Sequence, residues 1–210
     1  MRIGVIGTGN MADALGTHWV RAGHEVLIGG RDGKAAAALA ARIGAGRHGS
    51  PRAAAEFGDV VLFALPYAAG APVAAALGTA LRGRVLIDCS NPVGAGFALL
   101  TEADGGPSAA RRLAEAAPGA HVVKAFNLCH EDVWRMTPPV FGGRPLAVPL
   151  CGDDEEALAV VRQLVRDTGC TPVRAGGLAR AGLLEATAAL VIGVWVGEGA
   201  DAQAMLPPLV

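Results

Sequence analysis

Short apolar runs recur along the chain, each closing on glycine, proline or polar residues, with helical patterns of small residues between them. Arg2 to Ile6 reads as a buried strand and Asn10 to about Arg21 as a helix. A turn and second strand follow over Gly23 to Ile28, then helices over Ala35 to Ile43 and Ala53 to Phe57. The run Asp59 to Ala64 is continuously apolar, as a strand covered on both faces demands, and a helix of small residues extends from it to about Leu81. Arg84 to Asp88 and His121 to Phe126 are further strands, separated by a Gly-rich loop, Ala95 to Gly106, and a helix from Ser108, its N-cap, to Ala116. With three prolines and two adjacent glycines, Trp134 to Pro145 is expected to be irregular. Leu146 to Cys151 is a strand, and the acidic cap Gly152-Asp153-Asp154-Glu155-Glu156 opens a helix running to Asp167. A short strand, Thr171 to Arg174, precedes a helix, Gly182 to Gly197, that is apolar on nearly every face. Such a helix is buried in the domain or in a subunit interface. Strands alternating with helices give an α/β fold, a doubly wound parallel sheet.

The first strand turns into the first helix through Gly7-Thr8-Gly9-Asn10-Met11-Ala12. Gly7 permits the tight turn, Gly9 leaves room for backbone beside a phosphate, and Ala12 lets the helix lie close on the strand. The helix N-terminus offers free N–H groups and the positive dipole end, so the motif predicts a dinucleotide pyrophosphate site in a Rossmann-type sheet. The second strand ends at Gly29-Gly30-Arg31-Asp32, where such folds read the adenosine ribose. Arg31, with Lys34 three positions later, favours the 2′-phosphate of NADP over the 2′-hydroxyl of NAD. Two proline-bearing loops, at Leu65-Pro66-Tyr67 and Cys89-Ser90-Asn91-Pro92, close strands on the same ligand-bearing sheet edge.

Length, charge and cysteine usage narrow the picture. The 210 residues suffice for one large α/β domain with a small extension, divided as 1–130 and 131–210. A net charge of −1 leaves no electrostatic footprint for nucleic acid or a membrane surface. Cys89, Cys129, Cys151 and Cys170 stand far apart and predict buried free thiols in a reducing cytoplasm rather than a disulfide framework or a metal site. No signal peptide fits the N-terminus, and the longest apolar run, Ala186 to Val196, is too short to span a bilayer. A soluble protein is expected.

The chain resembles the NADPH-dependent reductases of the deazaflavin coenzyme F420. The resemblance rests on Ile6-Gly7-Thr8-Gly9-Asn10-Met11, Gly30-Arg31, Leu65-Pro66-Tyr67, Val122-Val123-Lys124-Ala125-Phe126, Cys151-Gly152-Asp153-Asp154, and Ala175-Gly176-Gly177-Leu178 followed by Leu184-Glu185. It implies a Rossmann domain with a small C-terminal α/β extension ending in an apolar helix, NADP as cofactor, coenzyme F420 as co-substrate, and a homodimer formed through the terminal helices. By that likeness Thr8 to Met11 hold the pyrophosphate and Arg31 and Lys34 the 2′-phosphate, while Pro66, Pro92 and Ala125 line the nicotinamide, flanked by Leu65 and Asn91. A serine usual before the arginine is Gly30 here, and the loop Asn127-Leu128-Cys129-His130 differs from that of the coenzyme reductases.

Hydride movement between two stacked rings asks the protein for positioning and water exclusion, and for no obligatory catalytic acid. An imine, enamine or carbonyl acceptor would need a proton donor, for which His130, Lys124 and Tyr67 are the candidates near the ligand edge. Tyr67 has no lysine four residues on, and no Cys/His set has zinc-ligand spacing. The start Gly9-Asn10-Met11-Ala12 also resembles pyrroline-carboxylate reductases, whose helical C-terminal dimer domain is longer than this chain accommodates. A non-catalytic NADP-binding sensor would need only the glycine loop and Arg31.

Overall fold

A computed structural model of the protein describes residues 1–103 and 105–200. In chain order its elements are β1 (Arg2–Ile6), α1 (Asn10–Arg21), β2 (Glu25–Gly29), α2 (Gly33–Ile43), β3 (Arg47–Gly49), α3 (Pro51–Phe57), β4 (Val60–Phe63) and α4 (Tyr67–Leu77). There follow β5 (Val85–Asp88), α5 (Leu100–Ala103), α6 (Ala109–Ala116), β6 (His121–Lys124), α7 (Glu131–Arg135), β7 (Val140–Phe141) and β8 (Arg144–Pro145). The last are β9 (Ala147–Gly152), α8 (Glu155–Asp167), β10 (Thr171–Gly176) and α9 (Ala181–Ile192), continued by a π-helical turn, Gly193–Gly197.

One eight-stranded sheet carries the order β10-β9-β6-β5-β4-β1-β2-β3. The six strands from β3 to β6 are mutually parallel, in the 3-2-1-4-5-6 arrangement of a dinucleotide-binding fold. β9 adds antiparallel to β6, and β10 runs parallel to β9. The segment after residue 130 thus extends the same sheet, while its last ten residues lie outside the described ones.

The reason for two-sided cover is visible in β4, whose four residues are all buried. α1 and α8 pack on one face and α4 and α6 on the other, each through a stripe of Ala, Leu and Val. At the carboxyl end of β6, Phe126 adopts φ +62°, a strained setting for an aromatic residue. Edge-to-face contacts with Trp19 at 6.1 Å and Trp134 at 5.4 Å hold it there, and the bend turns Asn127 back over the sheet edge.

Four expectations need correction. β3 is a polar three-residue edge strand, invisible to an apolar pattern. The stretch expected to be irregular begins with the last two residues of α7 and holds the β7–β8 hairpin, turned by Gly142 and Gly143 at positive φ. The helix expected to reach Leu81 ends at Leu77, because Gly78 at φ +53° breaks it into a 3-10 turn. The apolar run thought too short for a bilayer is part of a 20-residue helical stretch, Leu178–Gly197, of mean hydropathy 1.5, long and apolar enough to cross one by length and composition. Within it Glu185 is fully buried against protein.

Candidate active site

The carboxyl edge of the sheet opens between β1 and β4, where the winding direction reverses. A groove of about 610 Å³ lies there, lined by Gly7, Thr8, Gly9, Gly30, Arg31, Asp32, Leu65 and Pro66 among others. It continues past Gly9, Leu65 and Pro66 into a narrower part of about 290 Å³, which adds Asn10, Met11, Tyr67, Cys89, Ser90 and Asn91. Both fall within or close to the range of small-molecule and cofactor sites.

Gly7 sits at φ +128°, and a Cβ there would lie 2.1 Å from the Ala64 carbonyl oxygen. Its N–H donates to the Gly29 carbonyl at 2.9 Å, which ties the turn to β2. A Cβ on Gly9 would meet nothing within 4 Å, so this position is open toward the groove. The N-termini of α2, α3, α6 and α8 are closed by side-chain caps from Asp32, Ser50, Ser108 and Asp154. α1 has none. Its first-turn N–H groups therefore lack an acceptor of their own at the place where a pyrophosphate fits. Asn10 is held by donating its Nδ2–H to Glu131 Oε1 at 2.6 Å, which anchors the loop to α7.

At the end of β2 the charged side chains take different roles. Asp32 accepts the N–H groups of Lys34 at 2.8 Å and Ala35 at 3.3 Å, so this carboxylate is spent capping α2. Arg31 is exposed, lines the groove and makes no ion pair among the described residues. Lys34 is exposed and not among the lining residues.

The other site residues named from sequence divide in two. Leu65, Pro66, Asn91 and Tyr67 line the narrow part. The Arg112 guanidinium lies 6.0 Å from the centre of the Tyr67 ring. Pro92 and Ala125 are buried and do not reach the groove. His130 is exposed and caps α7, its Nδ1 accepting the Asp132 N–H at 3.3 Å and its Nε2 lying 3.3 Å from Glu131 Oε2. Its ring also meets Trp195 edge-on at 5.9 Å.

Lys124 is neither solvent-facing nor in the groove. It is fully buried beneath the site, with Nζ 2.9 Å from Asp88 Oδ2, 3.1 Å from Glu185 Oε1 and 2.5 Å from the Ser90 carbonyl. Burial alone would lower its pKa, but the two carboxylates outweigh that and raise it, so the ammonium persists. Asp88 and Glu131 are residues sequence reasoning missed, and Glu185, named only within the Leu184-Glu185 pair of the resemblance, was given no role. A signal for the first existed: β5 and β6 are apolar strands that each end on a charge, and parallel register sets Asp88 opposite Lys124.

Cys89 borders the groove, yet burial pushes its thiol up to about 12, with the Asp88 charge adding to the shift. It is no thiolate at neutral pH. Among the described residues no cluster of His, Cys, Asp and Glu could hold a metal ion.

Residues 2–92 match the family described as NADP oxidoreductase, coenzyme F420-dependent. The F420-dependent NADP reductase of Methanothermobacter thermautotrophicus is 31% identical over 211 residues, which cover 91% of this chain and 88% of that protein. The chain belongs to this family. It is also 30% identical over 198 residues to the rat metalloreductase STEAP3, covering 92% of this chain but spanning only 38% of that protein's length. In fold, the reductive aminase of Aspergillus terreus, solved with NADPH, superposes with a TM-score of 0.67 at 22% identity, over 98% of this chain and 69% of that one.

Proposed function

We propose that this family member is an NADPH-dependent reductase that passes a hydride to coenzyme F420 or a similar flat deazaflavin. The carrying observation is the composition of the narrow part of the groove. Its lining of Gly, Ala, Leu, Pro, Met, Asn, Ser, Cys and Tyr contains no carboxylate, histidine or lysine. Such a wall suits two rings stacked for direct transfer and offers no tuned acid.

In this reading NADPH supplies the hydride at its nicotinamide ring. The α1 N-terminus and Gly9 bind the pyrophosphate, and Arg31, with Lys34 nearby, pairs with the 2′-phosphate. Leu65 and Pro66 orient the ring and exclude water from one side, while Ser90 and Asn91 bound the other. Pro92 and Ala125, buried behind that wall, act by shaping the loop. The exposed apolar side chains Leu183, Leu190, Trp195 and Val196 support a homodimer through α9. Four free cysteines support a reducing, cytoplasmic setting.

A second reading is kept by Tyr67, whose hydroxyl belongs to a groove-lining side chain and is able to protonate an imine or carbonyl acceptor. The fold shared with a reductive aminase is compatible with it. Stopped-flow mixing of the NADPH-loaded protein with F420 and, separately, with a cyclic imine tests the choice. Oxidation of NADPH by F420 and not by the imine supports the first reading; the reverse supports the second. Tight NADPH binding without turnover of either would leave a sensor and overturn both.

A further inference from the structure

The groove's narrow end is held from below by a helix that never reaches it. Two consecutive residues of α9 make the connection. The Leu184 carbonyl accepts a hydrogen bond from Asn127 Nδ2 at 3.1 Å, and Glu185 Oε1 lies 3.1 Å from Lys124 Nζ. Asn127 and Asn91 are locked to each other: Asn91 Nδ2 donates to the Asn127 carbonyl at 2.7 Å, and Asn127 Nδ2 donates to Asn91 Oδ1 at 2.9 Å. Lys124 donates to the Ser90 carbonyl, while the Ser90 N–H is taken by Asp88 Oδ1 at 2.9 Å. Two of the three groove-lining residues of the loop after β5, Ser90 and Asn91, are thereby fixed by groups that trace back to α9. Glu185 is itself pinned, accepting the N–H groups of Ala109 at 2.9 Å and Ala110 at 3.2 Å where α6 begins.

A buried ionic cluster of this kind is poor value as stability alone, because desolvation offsets most of the attraction. Its net charge of −1 lies against the positive end of α6, and every proton of the ammonium has an acceptor. What such a cluster fixes well is geometry.

We propose that α9, through Leu184 and Glu185, sets the position of the Ser90–Asn91 loop and so of the nicotinamide ring, with Glu185, Lys124 and Asn127 as positioning residues. The inference rests on the reading of the groove as an NADPH site. It implies that the substrate end is sensitive to α9 while the adenosine end, built on Gly9 and Arg31, is not.

The test compares NADPH with 2′,5′-ADP, which keeps the 2′-phosphate and lacks the nicotinamide, on the full chain by titration calorimetry. Glu185→Gln keeps the shape and removes the charge. It is expected to weaken NADPH by about tenfold or more, as misplacement of a positioning loop does. Binding of 2′,5′-ADP should stay within about twofold. The emission of the bound dihydronicotinamide ring should change in parallel, a signal that a purely structural loss would not move selectively. Asn127→Ala, which removes the Leu184 arm without disturbing a charge, should repeat the pattern and decides the matter where the first variant does not fold. Equal weakening of both ligands, or no change in either, overturns the proposal. A wild-type protein that binds 2′,5′-ADP but gains nothing from the nicotinamide half overturns it as well. Wild-type protein binding neither ligand would instead refute the NADPH reading, and this inference with it.

Discussion

Replacing Arg31 by alanine is the most informative single perturbation of the nucleotide end. The side chain is exposed and makes no ion pair among the described residues, so its removal breaks none and leaves folding stability within about 0.5 kcal/mol. Its effect must therefore appear in binding. A guanidinium on a phosphate forms charge-assisted bonds worth ~1.5–3 kcal/mol, and exposure keeps this example near the middle, about 2 kcal/mol or roughly 30-fold in affinity. NADH lacks the 2′-phosphate and should be nearly unaffected, and Asp32, engaged in capping α2, has no ion pair with Arg31 for the substitution to release. Salt should compress the difference, since the pair is solvent-facing. Titration calorimetry with both cofactors at two ionic strengths measures it. Equal loss for NADPH and NADH, or a salt-independent loss, would refute the reasoning.

Other outcomes follow from the same geometry. Lys34→Ala should weaken NADPH by less than about fivefold in the same titration, as an exposed cation off the groove wall contributes under about 1 kcal/mol. Lys124→Met strands Asp88 and Glu185 in the interior and should cost about 3–5 kcal/mol in urea denaturation. In that variant stability should recover as the pH falls and the stranded carboxylates take up protons; a loss under about 1 kcal/mol would contradict the cluster's assignment. In the wild type the raised Lys124 pKa stabilises fully below the ordinary lysine value and is lost only as pH climbs past the folded one, so stability should not vary with pH on its account across the neutral range. Cys89 and Cys129, pushed up to about 12 and about 11 chiefly by burial, should resist iodoacetamide at pH 8 in the native protein and react after unfolding, as mass spectrometry would read. If the proposed homodimer forms, Trp195→Glu in the exposed turn after α9 should give monomers in sedimentation, through a charge buried at the contact.

The doubly wound, largely parallel sheet and the glycine turn at its edge were legible in the sequence because they depend on local chemistry. Continuous apolar strands, a glycine turn and an arginine after the second strand each carry their own physical reason. β3 escaped because a three-residue edge strand of Arg, His and Gly has no buried face to leave a pattern. Lys124 was read as a groove candidate because the strand His121 to Phe126 carries it toward the ligand edge, whereas its partners Asp88 and Glu185 lie 36 and 61 positions away. Glu185 is the harder case. It stands in the Leu184-Glu185 pair that carries the resemblance, but an acid in an otherwise apolar helix has no assignable partner until the fold brings Lys124 to it. The helical length of Leu178–Gly197 was likewise missed by counting only the uninterrupted apolar residues.

The central claim, direct hydride transfer without a protein acid, is tested most directly by isotope. NADPH deuterated at the transferred position is mixed in single turnover with excess F420, on wild type, His130→Gln and Tyr67→Phe. Deuterium should appear in the reduced deazaflavin with a primary isotope effect, and each variant should slow transfer by less than about tenfold, far short of the ~10²–10⁴ lost with a general acid. Deuterium absent from the deazaflavin, or a loss of ~10³ in either variant, would contradict the account.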